Sequence, residues 1–114
     1  MKKMTDKKVI FITPMYNAEK YLPELVKSII SQKNKNWEHV IIDDMSTDNS
    51  YEKALQLTRK DARFKVLKSK EKKYSVRIVA EASRKYQDPN IIIGIIDADD
   101  SLMNNNTVDI ILNA

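Results

Sequence analysis

The chain of 114 residues has no cysteine, a single glycine and a single histidine. The lack of cysteine excludes disulfides, thiolate metal sites and cysteine nucleophiles. Gly94 alone cannot build a P-loop or a GxGxxG turn, because both need several glycines to bring backbone amides onto phosphates. His39 precedes the apolar run Val40 to Ile42, and we expect it at a strand edge rather than in a Ser-His-Asp triad.

Long apolar runs are also missing. No stretch of 18 apolar residues occurs and Met1 to Lys8 is polar, so we predict neither a membrane span nor a secretory leader. We expect a cytoplasmic protein, with peripheral association of the full-length protein with the inner face of the membrane as an open alternative. The net charge of +4 is modest, and the lysine-rich segment 65–73 has too few aromatic neighbours for a nucleic-acid groove. We expect no nucleic-acid partner and a solvated loop there.

The most informative stretch runs from Ile91 to Leu102. Its branched apolar residues predict a strand buried on both faces, and Gly94 within it indicates a close approach of the backbone. Asp97, Asp99 and Asp100 follow at once and cannot share that burial, because unpaired ionised groups are costly to take out of water. We therefore place them at the carboxyl end of the strand, at the edge of a sheet where ligands bind.

Apolar periodicity divides the chain into alternating strands and helices. The predicted strands are Val9 to Thr13, ended by Pro14, Trp37 to Ile42, Phe64 to Leu67 and Ile91 to Ile96. The first predicted helix starts near Tyr21 or Leu22, carries Leu22, Leu25, Val26, Ile29 and Ile30 on one face and is ended by Asn34 and Asn36. The others are Tyr51 to Ala62, a third with Val76, Val79, Ala80 and Ser83 on its apolar face that ends near Tyr86, and Thr107 to Leu112. This order predicts an α/β fold, with an open, mostly parallel sheet of about four strands and helices on both faces. Residues 1–114 would form one domain, and the short last helix suggests a longer protein.

Polar residues follow three of the predicted strands, and parallel strands bring such ends to one edge. They are Pro14, Tyr16 and Asn17, then Asp43 and Asp44, then Asp97, Asp99 and Asp100. So many carboxylates at one edge repel each other unless a cation stands among them. Oxygen ligands suit Mg²⁺ or Mn²⁺, which commonly bind through one or two carboxylates plus substrate phosphates. A nucleoside diphosphate is thus favoured, although Asp43 and Asp44 could instead cap the following helix.

Four segments together resemble a known family. They are VIFITPMYN at 9–17, SIISQ at 28–32, VIIDDMSTD at 40–48 and DADD at 97–100. In order and spacing they resemble the amino-terminal half of glycosyltransferase family 2 enzymes, which have the GT-A fold and a Rossmann-like nucleotide-binding half. The resemblance implies that this chain is the nucleotide-sugar-binding part of a longer glycosyltransferase.

The resemblance also implies roles for individual residues. Pro14 and Tyr16 would line the uridine pocket beside Asn17 and Glu19, Asp44 with Asp43 would accept a hydrogen bond from the base, and Arg77 would contact base or phosphate. Asp97 and Ala98 would lie near the ribose and diphosphate, and Asp99, with Asp97, would bind Mn²⁺ or Mg²⁺. This ion would stabilise the departing nucleoside diphosphate as the sugar is transferred with inversion.

The implied function is transfer of a sugar from a nucleoside-diphosphate donor, UDP-linked, to a saccharide or lipid-linked acceptor in bacterial cell-surface glycan synthesis. The general base would belong to a carboxy-terminal half outside this sequence. Met45 stands where the family usually has glycine, and Ile78 where it has asparagine. A nucleotidyltransferase-like protein, which would need a glycine-rich first loop, and a non-catalytic nucleotide-binding module stay open as alternatives. Receiver-like modules and aspartyl phosphatases place their acids after the first strand, unlike this chain.

Overall fold

The computed structural model describes residues 7–114 of the protein, which form four strands and four helices in alternation. In chain order they are β1 (Lys8–Met15), α1 (Leu22–Ile30), β2 (Trp37–Asp43), α2 (Ser50–Thr58), β3 (Phe64–Lys68), α3 (Tyr74–Ser83), β4 (Ile91–Ile95) and α4 (Thr107–Leu112). The predicted order of elements is confirmed. Within the described residues no helix has both the length and the apolar character needed to cross a membrane. The predicted absence of a leader concerns a segment that lies mostly outside these residues.

The four strands form one parallel sheet in the order β3-β2-β1-β4. On one face, Ile10 and Ile12 of β1 pack with Ala82 of α3. On the other face, Phe11 of β1 shares a larger core with residues of α1 and α4, among them Leu25. The prediction of helices on both faces of a parallel sheet is therefore confirmed.

The prediction that Pro14 ends the first strand is wrong. Strand β1 continues through Pro14 to Met15. The backbone of Ile12 faces β4, since its carbonyl accepts a hydrogen bond from the amide of Ile96. Pro14, two residues further on, faces the same side, where the pairing with β4 has already ended. A proline there leaves no ladder hydrogen bond unmade.

Three helices differ from their predicted limits. Helix α1 ends at Ile30, with Ser31 as its C-cap, and does not extend to Asn34. Helix α2 ends at Thr58 rather than Ala62, because the chain turns at Asp61. The carboxylate of Asp61 accepts a hydrogen bond from Arg63, and the guanidinium of Arg63 stacks on the ring of Trp37. Helix α3 begins at Tyr74 and buries Ile78 and Ala82, whereas Val76 of the predicted apolar face is 85% exposed. The apolar residues of α3 fit two faces, and its packing across β1 selects the one that contains Ile78.

Strand β4 lies at an edge of the described sheet and is half-buried, with Ile95 55% exposed. The prediction that it is buried on both faces is wrong for this chain, and β1 is the strand with that environment. The expectation for Gly94 is confirmed. A Cβ at this position would lie 3.0 Å from Cδ1 of Phe11, so a side chain would press on a buried ring.

His39 is fully buried in β2, so the prediction that it lies at a strand edge is wrong. Its Nε2 lies 2.8 Å from Oγ1 of Thr13 on the neighbouring β1, and its ring packs against Phe11 and Phe64. Its Nδ1 has no hydrogen-bond partner within residues 7–114. Burial lowers the pKa of His39 to about 3, because the charged imidazolium loses its hydration.

The buried imidazole should make folding pH-dependent. The unfolded chain takes up a proton near pH 6.5 and the folded chain only near pH 3, so stability should fall as the pH drops between these values. The contribution of His39 can reach about 1.4 kcal/mol per pH unit. Urea denaturation at pH 6.5 and pH 4.5 measures it, and the loss of stability should be smaller in His39→Gln. Equal losses in the two proteins would contradict this assignment.

Candidate functional site

Three strand ends meet at one edge of the sheet, which we call the carboxyl edge. Strand β1 lies between β2 and β4, with Met15 aligned with Asp43 and Ile12 aligned with Ile95. The residues that follow these strands, including Tyr16, Asp44 and Asp97, therefore emerge side by side. The prediction that these strand ends share one edge is confirmed.

Asp97, Asp99 and Asp100 form an exposed group at this edge, which we call the acidic cluster. One carboxylate oxygen from each lies within 4.8 Å of the others. The amide of Asp100 donates to the carbonyl of Asp97, and this turn brings the three side chains together. Within residues 7–114 no side chain donates a hydrogen bond or forms an ion pair to these carboxylates. Three close negative charges without a counter-charge fit a divalent cation with oxygen ligands.

Ala98 separates two of these acids and points the other way. Its side chain is buried in the core, whereas its neighbours Asp97 and Asp99 in the turn are exposed. A small apolar residue at position 98 thus anchors the acidic cluster to the core. The structure gives the Ala98 side chain a packing role, not a surface at which a ligand could touch it.

Asp44 is almost completely buried, and its carboxylate is held by the segment that precedes and begins α3. The amides of Lys73 and Tyr74 each donate to it over 2.8 Å, and Nζ of Lys72 lies 3.3 Å away. Burial acts to raise the pKa of Asp44, but the hydrogen bonds from these two amides and from Lys72 outweigh it and leave the pKa below its usual range. Asp44 therefore stays ionised while it orders this segment.

Lys72 also covers the ring of Tyr16, with Nζ 3.4 Å from the ring centroid. Tyr16 is half exposed, and Tyr74, whose ring centroid lies 5.2 Å from the same ammonium, is more exposed still. The prediction of a solvated lysine loop is wrong for Lys72 and Lys73. No local pattern indicates this contact, since a lysine within a lysine run resembles any solvated residue.

Asn17 and Glu19 tie the loop after β1 to the loop after β2. Oδ1 of Asn17 accepts from the amide of Thr47 over 2.8 Å, and Oε1 of Glu19 accepts from the amide of Asn49 over 3.3 Å. Asp43 is buried and accepts from the hydroxyl of Ser46. These side chains shape the carboxyl edge through contacts within the protein. Pro14, another residue predicted to line the site, is buried in β1.

The polar segment after β2 supplies the partners in this loop contact, a role that sequence reasoning missed. Ser50 accepts a hydrogen bond from the amide of Ala18 over 2.8 Å and donates to Asp48. Asn49, the N-cap residue of α2, makes no side-chain cap hydrogen bond. Burial tends to raise the pKa of Asp48, whereas hydrogen bonds from Ser50 and the Glu19 amide lower it below its usual range overall.

Arg77 lies on the exposed surface of α3. Its guanidinium forms 3.0 Å ion pairs with Glu81 and Glu71, and these hydrogen bonds raise its pKa. The guanidinium of Arg77 is thus paired with two surface carboxylates. Within residues 7–114, Arg77 makes no contact with Asp44 or the acidic cluster. As a predicted ligand contact, Arg77 would have to exchange these partners.

Comparison with known proteins agrees with this geometry. The family model for glycosyl transferase family 2 matches residues 10–112. Glycosyltransferase GlyG of Streptococcus pneumoniae is 34% identical over 98 residues, covering 82% of this chain and 31% of that protein. The Escherichia coli enzyme WfgD, a UDP-Glc:alpha-D-GlcNAc-diphosphoundecaprenol beta-1,3-glucosyltransferase, is 39% identical over 64 residues, covering 56% of this chain and 24% of WfgD.

Solved structures give the same result. The crystal structure of Staphylococcus aureus TarS 1-349 in complex with UDP superposes with a TM-score of 0.77 and 25% identity, covering 93% of this chain and 31% of that one. The chain thus spans less than a third of the length of each of these relatives.

Met45 follows Asp44 in a left-handed backbone conformation, with φ of 63°. This conformation destabilises a residue that has a side chain by about 1–2 kcal/mol. Glycine removes that strain, but its more flexible unfolded chain costs about 0.5–1 kcal/mol of folding free energy in return. Since Met45 is also half exposed, Met45→Gly should raise the melting temperature by a few degrees. Met45→Ala, which keeps the Cβ, is the matched control and should give no increase. A lower melting temperature for Met45→Gly would show that the Met45 side chain contributes more than its backbone costs.

Proposed function

The chain belongs to glycosyl transferase family 2, and from this premise we propose that it binds the donor of a metal-dependent, inverting glycosyltransferase, a UDP-linked sugar. One observation carries the proposal. The acidic cluster is exposed and has no counter-charge within residues 7–114, and it shares a sheet edge with the half-exposed Tyr16 and the buried Asp44. A nucleoside diphosphate bound through a cation matches both, because its phosphates reach the cluster through the cation and its base reaches Tyr16 and Asp44. The TarS structure was solved with UDP, which supports uridine as the base.

The base end of this site is Tyr16 with Asp44. The ring of Tyr16 offers a face on which a flat base can stack, and Asp44 supplies an acceptor for a base N–H. The surrounding loops are held in place by hydrogen bonds of Asn17, Glu19 and Asp43. Pro14 lies in the adjoining strand β1. Both features are covered by Lys72, so a base has to displace its ammonium group to reach them. Arg77 becomes available to phosphate once it leaves its glutamate partners.

The phosphate end is the acidic cluster. Asp99 and Asp97 would hold Mn²⁺ or Mg²⁺. Ala98, which lies between them and is buried in the core, would fix the position of both exposed side chains. When bound, the ion supplies a Lewis acid for the diphosphate that leaves. The protein's own contribution is to keep these carboxylates exposed and close together at the same edge of the sheet as the base end. The proposal assigns no general base to this chain, since the resemblance places that group in a carboxy-terminal half.

The acceptor we propose is a saccharide or a lipid-linked saccharide of the cell surface, assembled at the cytoplasmic side of the membrane. The support is the name of the relative WfgD, which specifies a diphosphoundecaprenol-linked acceptor.

Calorimetric titration with UDP tests the donor site. In Mn²⁺ the chain should bind UDP saturably and more tightly than GDP or AMP, and excess chelator should weaken UDP binding at least tenfold. Asp99→Ala should weaken binding in Mn²⁺ to the same degree, because it removes a metal ligand from an exposed position. Glu24→Ala, which removes an exposed carboxylate from α1, is the matched control and should bind like the unaltered chain. Equal affinity in Asp99→Ala, or equal affinity with and without metal, would refute the proposed metal site.

Lys72→Ala tests the base end separately. The variant loses an ammonium group that competes for the face of Tyr16, so UDP should bind about 3- to 10-fold more tightly, in line with about 1 kcal/mol for a partly exposed cation–π contact. Lys70→Ala in the same segment, where the lysine has no partner within residues 7–114, is the control and should leave UDP affinity unchanged. Weaker binding by Lys72→Ala alone would mean that Lys72 contacts the nucleotide and does not compete with it.

A further inference from the structure

A groove of about 570 Å³ lies on the α3 face of the sheet, away from the carboxyl edge residues that would hold the donor. Strands β2 and β3 form its floor through Val40, Ile42 and Leu67, and Ile78 and Ala82 of α3 form one wall. This volume is in the range of about 300–1,000 Å³ that is usual for small-molecule sites.

The groove exists because α3 packs over β1 and leaves the β2–β3 side of the sheet uncovered. In the β2–β3 pairing, Val40 is aligned with Lys65 and Ile42 with Leu67, so these side chains share one face. On that face Leu67 is 36% exposed and Ile42 is half-buried. Ile42 and Leu67 thus expose an apolar strip beside the helix, next to the buried Val40, and burial of this strip by a ligand would be favourable.

The rim of the groove is positively charged. Five lysines and two glutamates line the groove, and each glutamate already has a cationic partner. Glu81 forms ion pairs with Lys73 and Arg77, and Glu71 forms an ion pair with Arg77. The ammonium groups of three of the lysines, Lys65, Lys70 and Lys85, have no hydrogen bond or ion pair within residues 7–114. Positive charge is therefore in excess around an apolar floor.

We propose that this groove is a second binding site, for an anionic amphiphile with a phosphate head and a single hydrocarbon chain. The chain would cover the floor formed by Ile42 and Leu67, and the phosphate would pair with Lys65 and Lys85, which lie at one end of the groove. A neutral apolar ligand leaves the lysines unpaired, and a free anion leaves the apolar strip in water. Only a ligand with both parts satisfies both features. The proposal does not depend on the identity of the donor.

Dodecyl phosphate, kept below its critical micelle concentration, is the probe. Titrated calorimetrically into the purified chain, it should bind saturably with one molecule per chain. Dodecyl maltoside supplies a chain of the same length with a neutral head, and inorganic phosphate supplies the head alone. Each should bind at least tenfold more weakly. Saturating UDP and Mn²⁺ should leave dodecyl phosphate affinity unchanged, so that failure here is distinct from failure of the donor site.

Variants test the two parts of the groove. Lys65→Gln with Lys85→Gln should weaken binding at least tenfold, whereas Lys27→Gln with Lys60→Gln makes the same charge change at exposed positions elsewhere and should not. Leu67→Ser, at a partly exposed position that the fold tolerates, should weaken binding several-fold. Thermal denaturation of each variant verifies that it is folded, and methyl NMR shifts should change at Val40 and Ile42.

Several results would overturn the proposal. Equal weakening in the two double-lysine variants would show attraction by net charge alone. Inorganic phosphate binding as tightly as dodecyl phosphate would show a plain anion site, and dodecyl maltoside binding as tightly would show a nonspecific apolar surface. Methyl shifts at the exposed Ile95 of β4 instead of at Val40 and Ile42 would place the ligand on another part of the molecule.

Discussion

The pairing of β1 on both sides is the constraint on which the candidate site depends. Buried on both faces, β1 cannot slip by one residue without turning its core side chains outward, so the positions of the neighbouring strand ends are fixed. Its pairing with β2 runs on to Met15, whereas its pairing with β4 stops at Ile12. A crevice therefore opens between β1 and β4 at the point where the strand order reverses, which is where ligands bind in such sheets. Pro14, which has no amide hydrogen, lies beside it.

Carboxylates at this edge occur in two opposite environments. Asp44 is buried, and the amides of Lys73 and Tyr74 with the ammonium of Lys72 repay the loss of hydration. The acidic cluster is exposed to solvent and has no donor among the described residues. The carboxyl edge thus carries one carboxylate with partners inside the protein and three without them. In the proposed site, a cation would meet no competing group of the described residues at the cluster, whereas a base would compete with Lys72 for Asp44.

Local patterns predicted most of the fold, because strand and helix periodicity depend on neighbouring residues alone. They also placed the acidic cluster at the carboxyl end of β4, since unpaired ionised groups are costly to bury even where the strand before them is only half-buried. Features that depend on distant partners were not predictable. His39 is tolerated in the core because Thr13 on the next strand offers an oxygen at 2.8 Å, and this neighbour is known only once the strands are paired. Lys72 likewise finds Asp44 and Tyr16 far away in sequence.

The segment from Ser69 to Tyr74 connects the two regions to which we assign ligands. Its amides hold Asp44 at the carboxyl edge, and Lys70 and Lys73 lie on the rim of the groove. Tyr74 has a φ of 66°, a conformation that costs a side chain about 1–2 kcal/mol and that the hydrogen bond to Asp44 helps to maintain. The hydrogen bonds from these amides to Asp44 therefore also fix the positions of Lys70 and Lys73 on the rim of the groove. They stay in place when a ligand displaces only the ammonium of Lys72.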